Sequence, residues 1–283
     1  MLAGGAALIV AAAPLGQSAQ ANADESLRQL EMQLGGRIGL AALDTGTGAR
    51  LAHRAGERFA LCSTFKWLLA AAVLAKAEQG KDLLDRRLSY TAADLLGVSP
   101  VTRAHLAEGA LSIQALCEAA VEVSDNTAAN VLLRFIGGPQ ALTHYFRRIG
   151  DSVTRLDRYE PGLNSNLPGD PRDTSTPEAM IATMQSLLIG NALSPASRQT
   201  LIGWLRNSRT GLHRLRAGLP RNWTVGDKTG TGSNGAVNDS AIVWPPRRSP
   251  LLMAAYLSDS QAPADALEAA HAHMGRIIAA TFA

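Results

Sequence analysis

The chain has 283 residues, of which 46% are hydrophobic, 18% charged and 5% aromatic, with 26 glycines and 13 prolines. This is a globular composition, since disordered chains carry less apolar material and more net charge, and the length allows one or two domains with a sizeable core. Twenty-seven basic against 24 acidic residues leave a formal charge of only +3; with no basic run and few aromatics for base stacking, nucleic-acid binding is not expected.

The N-terminus opens on an apolar stretch, 2–15, followed by a polar tail in which Ala21-Asn22-Ala23 forms an A-x-A site before Asp24. The pattern is that of a secretory signal peptide over 1–23, although the customary basic n-region is missing. The stretch is shorter than the roughly 20 residues of a membrane span. No later stretch is long enough either, so the mature chain is expected in the periplasm or secreted, free of the membrane once the signal is cut. A helix is expected from residue 25 to about 34, ended by Gly35-Gly36. Strands follow at 37–43 and 50–53 around the turn Asp44-Thr45-Gly46-Thr47-Gly48. The run STFKWLLAAAVLAKAEQ predicts a strongly apolar helix over 63–79, and further helices are expected at 112–122, 127–136, 138–148, 176–189 and 195–207. Three strand-like runs, 223–229, 236–244 and 251–257, precede a closing helix over 263–280.

Strands at both ends and helices between them predict an α/β (α+β) fold. An antiparallel sheet would be built from 24–62 and 208–283 and flanked by the terminal helices. An all-helical domain, 63–207, would be inserted, with the active site between the two. Segment 157–175 lacks any period, and an ordered loop of that length is usually functional.

Gly230-Thr231-Gly232-Ser233-Asn234-Gly235 fits the dinucleotide pattern G-x-G-x-x-G, but a strand-like run follows where that motif needs a helix, so no nucleotide is expected. There is no CxxC or Cys/His cluster, so no metal or other cofactor is expected. His271 and His273, at i and i+2 of a helix, point to different faces and are expected at the surface. Cys62 and Cys117 are candidates for a disulfide in an exported chain. Only four of the basic residues are lysines: Lys66, Lys76, Lys81 and Lys228. A chain that uses arginine almost everywhere keeps lysine where a titratable amine is needed.

Two of those lysines fall in motifs. Ser63-Thr64-Phe65-Lys66 puts Ser63 and Lys66 at i and i+3, on one helix face, where a desolvated amine can take a serine proton. The helix N-terminus directs free N–H groups at any anion formed there. Ser124-Asp125-Asn126 lies on an inter-helix loop, and Lys228-Thr229-Gly230 ends a strand at a glycine that allows close approach. Each has an ordinary explanation alone, as a cap, a surface lysine or a turn.

The ordered set S-x-x-K, S-D-N, K-T-G resembles class A serine β-lactamases and penicillin-binding proteins. Arg158-Tyr159-Glu160-Pro161-Gly162-Leu163-Asn164 is similar to the R-x-E-x-x-x-N loop segment of the β-lactamases, and the likeness extends over essentially the whole mature chain. The resemblance implies a hydrolase of small β-lactams that confers antibiotic resistance, and nothing in the sequence suggests more than a monomer. It implies Ser63 as nucleophile, with Lys66 or Glu160 through water as its activating base. Ser124 would relay a proton to the lactam nitrogen, and Glu160 with Asn164 would hold the hydrolytic water. The amides of Ser63 and Thr231 would form the oxyanion hole. Asn126 would bind the acyl amide; Lys228, Thr229, Gly230 and Thr231 would bind the substrate carboxylate. Arg158 and Asp173 would pair to close the loop.

Where many members carry a further carboxylate-binding arginine, this chain has Val237; Arg214 resembles the alternative source, with Arg216 the weaker candidate, and such an arginine is expected to be exposed and to add little stability. Val98 stands where an aromatic is usual at the site mouth. Cys117 resembles one half of a bridge whose other half is Ala70, and Cys62 one half of a bridge whose partner is Gly232, which implies two free thiols. Penicillins and cephalosporins are the expected substrates, with carbapenems left open. A D,D-peptidase, a penicillin-sensing receptor and a serine glutaminase are the competing readings. The R-x-E loop argues against the first and third, and the lack of a span against the second.

Overall fold

A computed structural model describes residues 17–80 and 82–282. The apolar stretch 2–15 lies outside them. Helix α1 (Gln17–Leu34) starts well before residue 25, so Ala21-Asn22-Ala23 lies inside a helix with Ala23 buried. Alanine-rich polar sequence favours helix, and Gln20 donates to Asp24 at 2.9 Å across one turn. The helix ends where Gly35 turns to φ +63° and its N–H reaches Glu31 O at 3.1 Å.

Strands β1 (Arg37–Asp44) and β2 (Arg50–His53) form the expected hairpin, pairing Leu43 with Arg50. Asp44 Oδ1 accepts from the Gly46 N–H at 2.8 Å and so holds the turn. After β3 (Phe59–Ala60), a 3₁₀ turn (Cys62–Thr64) leads into α2 (Phe65–Ala77). Every residue of α2 from Phe65 to Leu74 is buried, as expected of a helix that is apolar all round. The exception in polarity, Lys66, marks the site.

Short elements β4 (Arg87–Ser89), α3 (Pro100–Ala104) and β5 (Ala110–Ser112) lead to α4 (Ile113–Glu122), α5 (Asn126–Ile136) and α6 (Pro139–Arg148), all three packed on α2. Strand β6 (Thr174–Ser175) pairs with β3 and ties down the end of the long loop. Helix α7 (Pro177–Met184) continues into a π-helical turn (Gln185–Ile189) closed by Gly190 N–H to Gln185 O at 2.8 Å, so the expected helix 176–189 changes its hydrogen-bond register partway. Then come α8 (Pro195–Arg206), α9 (Leu215–Gly218), β7 (Thr224–Thr231), β8 (Val237–Trp244), β9 (Leu251–Ser258) and α10 (Ala264–Thr281).

The sheet has the order β2-β1-β9-β8-β7 and is antiparallel throughout, with Arg37 opposite Ser258, Val237 opposite Leu257 and Lys228 opposite Ser240. Strands from both ends of the chain thus build one sheet, as the sequence predicted. Leu40, Ala42, Met253 and Ala255 join Leu27, Leu30, Met274 and Ile278 of α1 and α10 in one apolar cluster. The alternate residues Ala41, Leu43, Leu252, Ala254 and Tyr256 join Phe65, Trp67 and Met180 on the helical side in another. Successive side chains of a strand point to opposite faces, and covering both makes β9 a continuous apolar run. Each fully buried Leu, Ile or Phe in these clusters contributes about 1.5–3 kcal/mol.

His271 departs from expectation. It is fully buried rather than at the surface, and its Nε2–H meets Val237 O at 2.9 Å. Its position in α10 faces the sheet, and burial pushes the imidazole down to about 3. His273 is half-buried and has no polar partner among the described residues. No described helix is long and apolar enough to cross a membrane, and no three His, Cys, Asp or Glu residues among those described cluster as metal ligands. Gly230–Gly235 runs from the end of β7 through a turn into β8, with no helix following.

Candidate active site

The start of α2, the α4–α5 loop, the loop 157–175 and the end of β7 meet around Ser63. Cys62 takes a left-handed φ of +45°, and Thr64 Oγ1 donates to Leu61 O at 2.6 Å, which sets the 3₁₀ turn that delivers Ser63. One helical turn later, Lys66 is completely buried. Its ammonium donates to Ser124 O at 2.8 Å, to Ser124 Oγ at 3.3 Å and to Asn126 Oδ1, and lies 3.1 Å from Glu160 Oε1. Ser63 Oγ donates to the same Glu160 oxygen at 3.4 Å. Nucleophile candidate, amine and carboxylate therefore share one point.

Ser124 reaches Lys66 because its own φ is +60°, a turn held by the residue after it. Asp125 is fully buried, caps α5 by accepting from Ala128 N–H at 2.9 Å, and accepts from the N–H groups of Val101 and Thr102 at 3.0 Å. The middle residue of the S-D-N motif is thus a fastener and does not line the cleft. From the other side Lys228, also fully buried, donates to Ser124 Oγ at 3.0 Å and to Thr229 O at 2.8 Å. Burial pulls Lys228 well below the ordinary lysine range, and the charges of Lys66 and Arg214 pull it further. Burial lowers Lys66 as well, against the opposing pull of Glu160. Two desolvated amines converge on one serine hydroxyl, an arrangement suited to passing protons.

Glu160 is held by its backbone and its side chain. Asn130 accepts from Glu160 N–H at 3.0 Å and donates to Glu160 O at 2.9 Å, while Asn164 Nδ2 donates to Glu160 Oε2 at 2.5 Å. The loop closes through Arg158, whose Nε donates to Asp173 Oδ2 at 2.5 Å; Asp173 Oδ1 also accepts from the backbone of Asp157 and Arg158. Asp173 O accepts from Leu61 N–H at 2.8 Å and so fastens the loop directly to the segment before Ser63.

Gly230 is dictated by contact, since a methyl there would stand 2.9 Å from Leu61 O and 3.1 Å from Ser63 N. Arg214 corrects the expectation of an exposed side chain, for only 6% of it is accessible. Its Nη1 donates to Gly230 O at 2.8 Å and Asn238 O at 2.7 Å, its Nη2 to Thr231 Oγ1 at 2.7 Å, and its Nε lies 3.5 Å from Glu268 Oε1. Val237 turns into the cluster under the sheet, away from the cleft. Arg216 points elsewhere and pairs with buried Asp227.

A cleft of about 340 Å³ results, lined by Ser63, Val98, Ser124, Asn126, Asn164, Thr210, Arg214 and Thr229 to Thr231, with Val98 58% exposed at its rim. A cavity of similar size, about 350 Å³, lies behind the loop against Arg37 and Arg58 and contains none of these side chains. Both cysteines are free and buried. Burial and the Glu160 charge push the Cys62 thiol up to about 12, and burial raises that of Cys117. A methyl on Gly232 would stand 2.7 Å from Cys62 Sγ, so the thiol fills the space beside that glycine.

Two polar residues at the site were not anticipated. Asn130 lies one turn after Asn126 on the same face of α5, a spacing that could have revealed it. Thr210 sits in an irregular segment and carries no sequence signal.

A family model described as "Beta-lactamase enzyme family" matches residues 22–282. The chain is 49% identical to the carbapenem-hydrolyzing beta-lactamase KPC of Klebsiella oxytoca, over 82% of this chain and 79% of that one. It is 44% identical to beta-lactamase CTX-M-8 of Citrobacter amalonaticus, over 91% and 88%. Among solved structures, the class A β-lactamase of the last common ancestor of Gram-negative bacteria superposes with a TM-score of 0.90 at 57% identity, covering 92% of this chain and 99% of that one. The putative class A β-lactamase PenP of Rhodopseudomonas palustris gives 0.89 at 48% identity, covering 92% and 99%. With this site and this likeness over nearly its whole length, the chain belongs to the class A serine β-lactamases.

Proposed function

We propose that this β-lactamase is an exported monomer that hydrolyses penicillins and cephalosporins through an ester on Ser63. Ser63 Oγ attacks the lactam carbonyl, its proton passing to Lys66 in its neutral amine form, which burial favours, or through a water to Glu160. The amides of Ser63 and Thr231 receive the oxyanion, where each preorganised donor is worth about 3–4 kcal/mol. As the C–N bond breaks, Ser124 gives its proton to the lactam nitrogen and is resupplied from the flanking amines. Asn126 orients the acyl amide; Lys228, Thr229, Gly230, Thr231 and Arg214 receive the carboxylate. Glu160 and Asn164 then position a water, Glu160 takes its proton, and the ester is cleaved to free Ser63 and the ring-opened acid.

The observation that carries this reading is the convergence of Ser63 Oγ and Lys66 Nζ on Glu160 Oε1, at 3.4 and 3.1 Å. Division of the chain into a sheet unit (24–62 and 208–283) and a helical unit (63–207) is supported by the two apolar clusters on either side of the sheet. Periplasmic export rests on the 1–23 pattern alone. Mass spectrometry after brief incubation with benzylpenicillin tests the division of labour: Ser63→Ala should stay unmodified, whereas Glu160→Ala should acylate and stall. An unmodified Glu160→Ala protein would show that Glu160 is needed for the first step as well. Imipenem, alongside a chromogenic cephalosporin, tests whether turnover extends to carbapenems.

A further inference from the structure

Thr210 stands where the carboxylate side of the cleft meets the protein interior. Thr229 Oγ1 donates to Thr210 Oγ1 at 2.6 Å. Behind Thr210 lies Ser208 Oγ at 3.5 Å, and buried Ser208 donates to Asp227 Oδ2 at 3.2 Å. Asp227 is fully buried and is held on its other oxygen by Arg216. The row Thr229–Thr210–Ser208–Asp227 is thus a line of hydroxyls running from the cleft to a carboxylate. Its polarity follows from proton counting. Burial raises the Asp227 carboxyl, but Arg216, Ser208 and Lys228 all favour its ionised form; an ionised carboxylate can only accept, so the single proton of Ser208 points inward and its oxygen offers only lone pairs to Thr210. In the free enzyme Thr210 turns its proton toward Ser208, and Thr229 turns its own toward Thr210. Thr229 then shows lone pairs to the cleft, the wrong polarity for an anion.

We infer that Thr210 is a positioning residue for substrate binding: when a carboxylate enters, Thr229 rotates its proton onto it and accepts a proton from Thr210 instead. This rests on the proposed role of Thr229 in holding the substrate carboxylate. The reversal is easy because the bond given up, Thr210 to Ser208 at 3.5 Å, is beyond the normal O–H···O range, while the bond retained, at 2.6 Å, is short. No hydroxyl is left unpaired in either state, and the bound state has Thr229 polarised by a second hydroxyl behind it. Without Thr210 the Thr229 side chain loses the partner that fixes its rotamer, and the cost falls on binding.

The test is a double-mutant cycle with benzylpenicillin. Thr210→Val keeps shape and removes the hydroxyl. It should lower kcat/KM about five-fold or more, with the loss in KM and kcat within about two-fold, while Thr210→Ser stays within about two-fold of the parent. In a Thr229→Val background the further effect of Thr210→Val should shrink below about two-fold. If Thr229→Val itself leaves kcat/KM unchanged, the carboxylate role of Thr229 fails. If Thr229→Val lowers it and Thr210→Val does not, the relay alone fails. Equal losses from Thr210→Val in both backgrounds would also overturn the relay, since Thr210 would then act without Thr229. Thr210→Ala repeats the cycle should the valine disturb the neighbouring segment.

Discussion

Arg214 donates to two strand carbonyls and to Thr231, so with the proposed carboxylate role its removal should act on both folding and chemistry. Arg214→Ala should lower kcat/KM for penicillins and cephalosporins ten-fold or more, equivalent to about 1.4 kcal/mol. It should also lower the urea midpoint, because the paired carbonyls of Gly230 and Asn238 each lose a second, charged donor, and a hydrogen bond to a charged group is worth about 1.5–3 kcal/mol. The stability effect would not follow for an exposed arginine, and burial is what overturns that expectation. Arg216→Ala should show the opposite balance. It strands Asp227, fully buried, without its cation, a loss of about 3–5 kcal/mol in folding, toward the lower end because Arg216 is partly solvated. Steady-state kinetics beside chemical denaturation separates the two. If Arg214→Ala stays within about two-fold in kcat/KM, the carboxylate does not rest on this arginine.

Helix α10 docks on the sheet through a polar contact as well as apolar ones, and this makes the docking sensitive to acid. The folded imidazole of His271 accepts a proton only near pH 3, whereas the unfolded side chain does so near its ordinary 6.5. Below about pH 6.5 the unfolded state therefore binds the extra proton, and stability present above that pH is lost as pH falls toward 3. For one proton the slope approaches about 1.4 kcal/mol per pH unit. His271→Gln can still donate to Val237 O, so it should fold and should reduce the slope of unfolding free energy between about pH 6 and 4 by that one proton. An unchanged slope would assign the acid sensitivity to carboxylates elsewhere.

Across the whole molecule, the two cysteines lie in different apolar clusters, Cys117 beneath the helices and Cys62 beside Ala60 and Ala236. Neither has a sulfur partner. Thiol titration in guanidinium without reductant should count two, and a count of zero would refute free thiols. In the native protein both should react slowly, since each is buried and raised in pKa. The loop 157–175 is likewise a property of the assembled molecule. Its anchors are Asp173 to Arg158, Asp173 to Leu61, and Asn130 to Glu160, which together span three parts of the chain.

The elements and the candidate site residues that the fold brings together were legible in the sequence because they depend on local spacing. Apolar runs with turn residues between them set the helices and strands, and S-x-x-K places two side chains on one face by helix geometry alone. The helical conformation of residues 17–24 and the π-turn after Met184 were not legible, because the same residues are compatible with more than one hydrogen-bond register. Burial was decided only by the tertiary structure. Arg214 and His271 read as surface residues since nothing nearby in sequence hides them; strands β7 and β8 and helix α10, joined only in the folded chain, enclose them. Thr210 and Asp227 meet through Ser208 for the same reason. What one residue does to its neighbours along the chain follows from the sequence, whereas the dielectric around a charge and the partner of a hydroxyl depend on segments that only folding brings together.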